Sequence, residues 1–176
     1  MAFWSTTQLE PKRSFKYLMN ISAIGLDYII KTTDKPSFEI SETEHQFLNH
    51  TYYYPGRVTW SEVTVTMVDP VSPDASATLH ALLNQAGYTW PGNTNEGDYG
   101  NVMTKDRAVG SLGQVTISQI GENQNDILEE WILHNAWIKN VEFGSLDYGS
   151  EDMVEISVTL RFDSASIRGA KGSPIQ

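Results

Sequence analysis

The most constraining feature of this chain is a two-residue alternation of apolar and polar side chains within Asp152–Asp163, unbroken from Val154 onwards. The apolar positions are Val154, Ile156, Val158, Leu160 and Phe162, and the polar positions between them are Glu155, Ser157, Thr159 and Arg161. Successive side chains of a β-strand point to opposite faces of a sheet. The segment therefore predicts a strand with one buried and one polar face.

The same alternation recurs elsewhere, which predicts a mainly β chain. From Glu62 to Val68 the apolar positions are Val63, Val65 and Met67, and earlier in the chain Phe15, Tyr17, Met19 and Ile21 form a third apolar face. Further strands are predicted over Asp27–Thr33, Ser37–Ile40, Gln114–Ile120 and Ile127–Ile138. The last of these also fits a helical turn, but the spacing of Trp131, Leu133 and Trp137 favours a strand. The polar segment Gly121–Asp126 then predicts a hairpin loop.

One helix is predicted against this β background, over Pro73–Ala86. Ser72 suits the N-cap, Pro73 suits the first helical position, and Gly87 suits the C-terminal end. The apolar stripe that should pack on a sheet comprises Leu79, Leu82, Leu83 and Ala86. Outside the helix, Tyr88–Gly100 predicts a long irregular loop, and Pro55 with Gly56 predicts a type II turn over Tyr54–Arg57.

Composition favours one folded unit and excludes several classes of protein. With 176 residues, 40% of them hydrophobic, the chain can fill a single core, so we expect one domain over residues 1–176. The absence of cysteine excludes disulfides. No apolar run approaches a membrane span and no secretory signal is recognisable, so we expect cytoplasmic production and no membrane insertion. The net charge of −10 argues against a protein that grips nucleic acid.

Sequence signatures of catalysis, cofactor binding and metal binding are missing. The histidines, His45, His50, His80 and His134, are scattered, and no nucleophile, phosphate-cradling or dinucleotide motif is present. Neighbouring carboxylates such as Glu129 and Glu130 point apart in a strand, which weakens an acid–base role. We therefore expect no enzyme activity, no cofactor and no metal site.

Three segments together resemble one known family. They are RVTWSEVTVTMVDP (Arg57–Pro70), WILHNAWIKNVEFGSLDYGSEDMVEISVTLRFD (Trp131–Asp163) and the connection Glu42–Gly56, which holds NHTYYYPG. In layout they resemble the tail tube proteins of contractile-tailed bacteriophages, within the phage tail tube and type VI secretion tube superfamily. The Trp131–Asp163 segment is the most specific, because it combines a strand, a polar turn and a final alternating strand in the order that the family uses.

The resemblance implies a fold and a structural role. The fold would be mainly β, a β-barrel or two packed antiparallel sheets with one flanking α-helix. Six copies would form a ring, and rings would stack into a hollow acidic tube through which double-stranded DNA passes into the host without sticking. The partners would be further copies of the chain, the tail sheath protein, baseplate tube-initiating proteins, the tape measure protein and the tail terminator. The location would be the phage tail, assembled in the host bacterial cytoplasm.

The resemblance also implies a stacking loop over Glu42–Gly56, helped by an N-terminal arm (residues 1–14) and a C-terminal arm (residues 164–176). Adjacent large apolar side chains on an extended chain cannot all face one core, so some must be exposed in a monomer. Burying one contributes about 1.5–3 kcal/mol, so a few can hold an interface. The predicted interface residues are Phe47, Leu48, His50, Tyr52, Tyr53, Tyr54 and Arg57. The alternative is that Tyr52 and Tyr54 pack against their own barrel.

Polar strand faces are the candidates for the wall of the channel. Duplex DNA carries about one negative charge per 1.7 Å of its axis, so carboxylates repel it, and short hydroxyl side chains offer little to grip. The candidate residues are Glu62, Thr64, Thr66, Glu155, Ser157 and Thr159. The alternative is that they face ordinary solvent.

Two other functions are compatible with the sequence. Within the tube class, the alternative is a baseplate tube-like subunit or a secretion-system tube protein. A β-rich glycan-binding module belongs to a different class, and it would use loop aromatics such as Trp90 and Tyr99. Formation of rings or tubes separates the tube class from the glycan-binding class.

Overall fold

A computed structural model describes residues 11–25, 29–89, 102–123 and 125–169 of the chain. The strands in these ranges are β1 (Tyr17–Ile21), β2 (Ile30–Thr33), β3 (Phe38–Phe47), β4 (His50–Trp60), β5 (Val63–Val68), β6 (Val115–Ile120), β7 (Ile127–His134), β8 (Trp137–Glu142), β9 (Glu155–Arg161) and β10 (Ser164–Gly169). The helices are α1 (Ala75–Gln85) and α2 (Lys105–Leu112). Most of the predicted loop Tyr88–Gly100, most of both predicted terminal arms and the start of the predicted strand Asp27–Thr33 lie outside the described residues.

Two antiparallel four-stranded sheets enclose one core, which confirms the mainly β prediction. Sheet A has the strand order β1-β6-β7-β10, and sheet B has the order β2-β5-β9-β8. Strands β5 and β9, which carry the clearest alternation, are neighbours in sheet B. Their apolar side chains have no exposed surface: Val63, Val65, Met67, Ile156, Val158 and Leu160. Alternation therefore predicted both these strands and their buried faces.

The chain passes between the sheets at two adjacent corners. The predicted strand Ile127–Ile138 is in fact two strands, because Asn135 turns the chain with a φ of 56°, a left-handed conformation that asparagine tolerates. Asp163, in the second corner between β9 and β10, joins the two corners. Its carboxylate accepts from Asn135 Nδ2 at 2.9 Å, and its backbone N–H donates to the His134 carbonyl at 3.0 Å. Hydrogen bonds from Lys105 and Asn135 lower the pKa of Asp163.

Helix α1 forms where predicted, with a different start. Its N-cap is Asp74, whose side chain accepts from the Ala77 N–H at 2.9 Å, and not Ser72. Gly87 follows the helix with a φ of 111°, as a C-terminal glycine should. The stripe is narrower than predicted, because Leu83 is 38% exposed. The buried members are Leu79, Leu82 and Ala86.

Helix α2 corrects the prediction of a single flanking helix. Thr104 caps it by accepting from the Arg107 N–H at 3.3 Å, and Gly113 follows its last turn with a φ of 72°. Leu112 is the residue that the helix buries. Its apolar stripe is therefore too weak for the helix to be recognised by periodicity.

Both ends of the described chain depart from the predicted pattern. Phe15, expected to extend the apolar face of β1, is 74% exposed in the turn before the strand. At the other end, residues 164–169 were expected to begin a free arm. They instead form β10, an edge strand of sheet A that pairs with β7.

The predicted stacking loop Glu42–Gly56 is part of a long β-hairpin. Strands β3 and β4 pair with each other as a separate two-stranded ribbon, and Leu48 and Asn49 connect them. The predicted type II turn over Tyr54–Arg57 is wrong, because these residues lie inside β4. What was expected to be a loop therefore has a regular backbone with a defined register.

A β-bulge occupies the position of the expected turn. Ile40 pairs with Val58 and Glu42 pairs with Pro55, so Ser41 stands opposite both Gly56 and Arg57. Ser41 Oγ accepts a hydrogen bond from the Arg57 backbone N–H at 2.8 Å. A Cβ on Gly56 would lie 2.4 Å from that oxygen and 3.0 Å from the Ser41 carbonyl oxygen. The Pro55-Gly56 dipeptide thus marks a bulge, where the backbone also departs from regular pairing.

A buried carboxylate fastens the N-terminal segment and the β2–β3 connection to sheet A. Glu129 on β7 is 7% exposed and forms ion pairs with Lys12 and with Lys35, whose Nζ lies 2.9 Å from Oε1. Trp131 Nε1 donates to the same oxygen at 2.5 Å. Burial alone would raise the pKa of Glu129, but the hydrogen bonds from Lys12, Lys35 and Trp131 outweigh it and lower the pKa to about 2.

Replacing Glu129 by glutamine should remove an acid-dependent part of the stability. Because the folded-state pKa lies below the ordinary value of 4.5, the carboxylate stabilises the fold above pH 4.5 and loses this effect as the pH falls to about 2. Over that interval the free energy of unfolding of the wild type should fall by about 2–3 kcal/mol more than that of Glu129→Gln. Chemical denaturation at a series of pH values measures the difference. Equal falls in the two proteins would contradict the role of this carboxylate.

Replacing Gly56 by alanine should loosen the hairpin, because the new methyl group would meet Ser41 at the bulge. Hydrogen exchange of the β3 and β4 amides should accelerate, while the amides of β5 and β9 should exchange as in the wild type. Gly110→Ala is the matched control, since nothing lies within 4 Å of a Cβ there and alanine is favoured inside a helix by about 0.5–1 kcal/mol. Unchanged exchange in Gly56→Ala would rule out the bulge.

Candidate assembly surfaces

The hairpin β3–β4 stands clear of both sheets. All residues from 37 to 59 are exposed, and burial begins at Trp60 at the base of the hairpin. The Trp60 ring lies between Phe38 and the core residue Phe162, with ring centroids 5.3 Å and 6.0 Å away. The hairpin is therefore rooted on the core by one aromatic side chain, and the rest of it contacts no other part of the described chain closely enough to be buried.

The bulge divides the hairpin into a base and a distal half with different surfaces. Directly opposed residues of two paired strands share a face. In the base, the pairs Phe38–Trp60 and Ile40–Val58 share one face and are apolar. Beyond the bulge the same face becomes polar and carries two carboxylates. We call it the acidic face: Glu42, Glu44, Gln46, Thr51, Tyr53 and Pro55.

The other face of the distal half carries most of the exposed aromatic surface. Three directly opposed pairs form it, and we call it the aromatic face: Thr43–Tyr54, His45–Tyr52 and Phe47–His50. Phe47 is 61% exposed, and Tyr52 and Tyr54 are 50% and 57% exposed, so they do not pack against their own sheets. The extra residue in β4 thus moves the apolar surface from one side of the ribbon at its base to the opposite side near its tip.

The predicted interface residues fall at four distinct places on this hairpin. Phe47, His50, Tyr52 and Tyr54 lie on the aromatic face, Tyr53 lies on the acidic face, Arg57 lies at the bulge, and Leu48 lies at the tip. Sequence reasoning placed them on one loop but could not separate the two faces. It also missed Glu42 and Glu44, whose position opposite Pro55 and Tyr53 follows from the register alone.

Leu48 occupies the tip of the hairpin in an unusual state. Its side chain is 88% exposed, and its backbone has a φ of 53°. Left-handed backbone is disfavoured for residues other than glycine, asparagine and aspartate, and leucine gains nothing from exposure to water. Leu48 therefore departs both from the backbone conformation that leucine prefers and from the burial that its side chain favours.

The predicted channel-wall residues share one outer face of sheet B. Thr64 pairs directly with Thr159 and Thr66 pairs with Ser157, so their hydroxyl side chains form two rungs across β5 and β9. Each lies on the side of its strand away from the buried valines. All are half-buried by their neighbours. The structure thus brings together four side chains that the sequence grouped only by strand.

Both carboxylates predicted for this face are ion-paired. Glu62 pairs with Lys139 and lies 3.7 Å from Arg161 Nη1, and Glu155 pairs with Lys31. The hydrogen bond and charge of Glu155 raise the pKa of Lys31. The basic partners come from β2, β8 and β9, which alternation within one strand could not reveal. Within the described residues the face is therefore close to charge balance and not strongly acidic.

Other kinds of site have little support in the described part of the chain. No group of three or more histidine, aspartate or glutamate side chains converges there to hold a metal ion. Trp90 and Tyr99, the aromatics of the glycan-binding alternative, lie outside the described residues. Neither of the described helices is long and apolar enough to cross a membrane.

Sequence comparison finds no relative: no protein-family model matches the chain, and no curated protein matches it. Structural comparison does find similar chains. A chain in the anti-feeding prophage tube-terminating cap has a TM-score of 0.68 at 15% identity, covering 92% of this chain and 93% of that one. A chain in the sheath–tube complex of the PVC extracellular contractile injection system, in the extended state, has a TM-score of 0.64 at 15% identity, covering 94% and 98%.

A chain in the anti-feeding prophage baseplate is similar to nearly the same degree, with a TM-score of 0.66 at 15% identity over 92% of this chain and 98% of that one. The likeness extends over almost the whole of each chain, so it concerns the complete fold and not one shared motif. At 15% identity this structural likeness establishes the architecture alone, and the function has to be argued from the surfaces. The chain therefore shares the fold of these three chains.

Proposed function

We propose that this chain is a structural subunit of the inner tube of a contractile injection apparatus, in which copies join into rings and the rings stack. The observation that carries the proposal is the hairpin β3–β4, exposed on both faces from residue 37 to residue 59 while its aromatic side chains remain uncovered. An isolated two-stranded hairpin is marginally stable in water. The likeness to chains in a tube cap, a baseplate and a sheath–tube complex supports the same role.

The hairpin offers enough apolar surface for a stable contact. Phe47, Leu48, Tyr52 and Tyr54 are each at least half exposed, and burying such a side chain contributes about 1.5–3 kcal/mol. The hairpin already has a fixed backbone register, so less chain entropy opposes its docking than would oppose docking of a loop. We infer that the aromatic face and the tip are buried against neighbouring copies.

The open sheets offer a second way for copies to join. Strands β1 and β10 are the edges of sheet A, and strands β2 and β8 are the edges of sheet B. An edge strand has unpaired backbone N–H and C=O groups that pair readily with another strand. Joining sheet edges around a ring would satisfy these groups, and the resemblance gives six as the number of copies in that ring.

We further propose that the outer face of sheet B lines the channel. Its two rungs of hydroxyl side chains and its paired charges present neither a cluster of free cations nor an apolar patch to a passing polymer. In the narrower form of the proposal the polymer is double-stranded DNA, the particle is a phage tail, and the partners are the sheath, baseplate tube-initiating, tape measure and terminator proteins. A position at the cap or the baseplate is the alternative, because similar chains occur there.

Electron microscopy of the purified chain tests both proposals. At high concentration we expect rings or tubes with an axial opening, and a strictly monomeric sample would end the tube proposal. The absence of native cysteine allows Ser157→Cys to be labelled with a maleimide gold cluster. Gold should then follow the axis of the tube, whereas gold on Asp106→Cys, an exposed position of α2, should lie off the axis. Equal off-axis positions for both labels would remove sheet B from the channel wall.

Leu48→Gly separates folding from assembly. Glycine accepts the φ of 53° without strain, so the melting temperature of the monomer should stay the same or rise. Assembly should weaken, because the substitution removes the side chain that the tip would bury. The concentration needed for ring or tube formation, followed by sedimentation, should increase about tenfold or more. Normal assembly by this variant would remove the tip from the interface.

A further inference from the structure

We propose that the acidic face of the hairpin docks on a basic turn, residues 13–16, of a second copy of this chain. The inference rests on the proposed tube function and names the two surfaces that meet. It concerns the face of the hairpin opposite to the aromatic face, so the hairpin would be covered on both sides in the assembly.

The acidic face is an unpartnered sheet surface with an aromatic centre. Tyr53 is 59% exposed and lies directly opposite Glu44, and Glu42 follows on the same face. Among the ion pairs of the described residues, none involves Glu42 or Glu44. The face therefore presents two unneutralised carboxylates beside an uncovered aromatic ring.

Few basic side chains in the described chain are free to meet such a face. Ion pairs occupy Lys12, Lys31, Lys35, Lys105, Lys139, Arg161 and Arg168. The described cations left without an acidic partner within 4.0 Å are Arg13, Lys16, Arg57 and Arg107. Arg57 belongs to the hairpin itself and Arg107 stands alone on α2. Arg13 and Lys16 flank Phe15, whose ring is 74% exposed.

The basic turn is held in place before any partner arrives. The Arg13 carbonyl accepts from the Lys16 N–H at 3.2 Å and from Gln119 Nε2 at 3.0 Å. The Ile120 N–H donates to the Lys16 carbonyl at 3.1 Å, which fixes the turn to the end of β6. The ion pair of the preceding Lys12 with Glu129 adds a further anchor. A pre-organised site of this kind loses little entropy on docking.

The two surfaces match in charge and in form. Each carries an exposed aromatic ring with like charges beside it, and the charges are opposite in sign. From the bulge to the tip the distal half extends about 20 Å, at about 3.3 Å per residue, which is sufficient to reach a neighbouring subunit. The distal half is fully exposed within its own chain, so the docked turn must come from another copy.

Two carboxylates beside the turn work against this docking. Glu122 and Asp126 line the same depression as Arg13 and Lys16, and Asp126 accepts from the Glu122 backbone N–H at 3.3 Å. The Glu122 side chain would repel Glu42 and Glu44 of the incoming hairpin. Reversing its charge should therefore strengthen assembly, an effect opposite to that of most surface substitutions.

Charge reversal tests the pairing on the full chain. Glu44→Lys and Arg13→Glu should each raise the concentration needed for assembly about fivefold at 0.1 M salt, and the double variant should return towards the wild type. Glu39→Lys, on the other face of the hairpin, and Arg107→Glu, on α2, are matched controls that should assemble normally.

Glu122→Lys should assemble at a lower concentration than the wild type. In 1 M salt, where the screening length is about 3 Å, all of these differences should shrink.

Disulfide trapping provides a second, independent measurement. Because the chain has no cysteine of its own, Glu44→Cys combined with Lys16→Cys should give covalent ladders of copies under oxidation, and Glu39→Cys with Lys16→Cys should not. If the wild type assembles but Glu44→Lys behaves like Glu39→Lys and no ladder forms, the docking inference is wrong and the tube proposal stands. If the wild type never assembles, both are wrong.

Discussion

Burial of one apolar face of each four-stranded sheet against the other is the constraint on which the rest of the structure depends. In the middle of sheet B, β5 and β9 hide their alternating valines, isoleucine, leucine and methionine completely. Sheet A supplies Met19, Ile21, Val115, Ile117 and Leu133 from its own inward face. Because this core closes without the hairpin, the chain can leave a long ribbon of exposed aromatic residues outside it and still fold. The polar faces of β5 and β9 are not needed for this core either, so they are available to line the proposed channel.

The sequence predicted what depends on local periodicity and failed where distant contacts decide. Alternation identified β5 and β9 with their buried faces, and it placed Thr64, Thr66, Ser157 and Thr159 on polar faces that the structure joins into one. It could not reveal that Lys139, Arg161 and Lys31 neutralise Glu62 and Glu155, because these partners come from other strands or from a bulge. Pro55-Gly56 has the chemistry of a turn, and its placement opposite Ser41 becomes visible only in the register. Helix α2 escaped recognition because it buries little, and the corner at Asn135 carries no periodic signal.

Ion-paired and unpaired charges occupy different surfaces of this chain. The net charge of −10 suggests a uniformly acidic surface, yet the outer face of sheet B is balanced by its own ion pairs, and Glu129 is neutralised by two lysines inside the fold. Free carboxylates remain on the distal hairpin, and free cations remain in the turn at Arg13 and Lys16. Unpaired charge is thus present at the surfaces that we assign to contacts between copies, where it can select the orientation of an encounter more than its strength.

The bulge at Ser41 has a consequence for symmetry. A ribbon with two different faces cannot pair with an identical ribbon about a two-fold axis in such a way that aromatic and acidic surfaces both find unlike partners. In the stacked tube that we propose, contacts of this kind would be heterologous, so each copy would present its hairpin to one side and an acceptor surface to the other. A fibre built in this way has two distinct ends, one displaying uncovered ribbons and the other displaying vacant acceptor sites. The polarity of such a fibre would then be a property of every subunit, to which the one additional residue in β4 contributes.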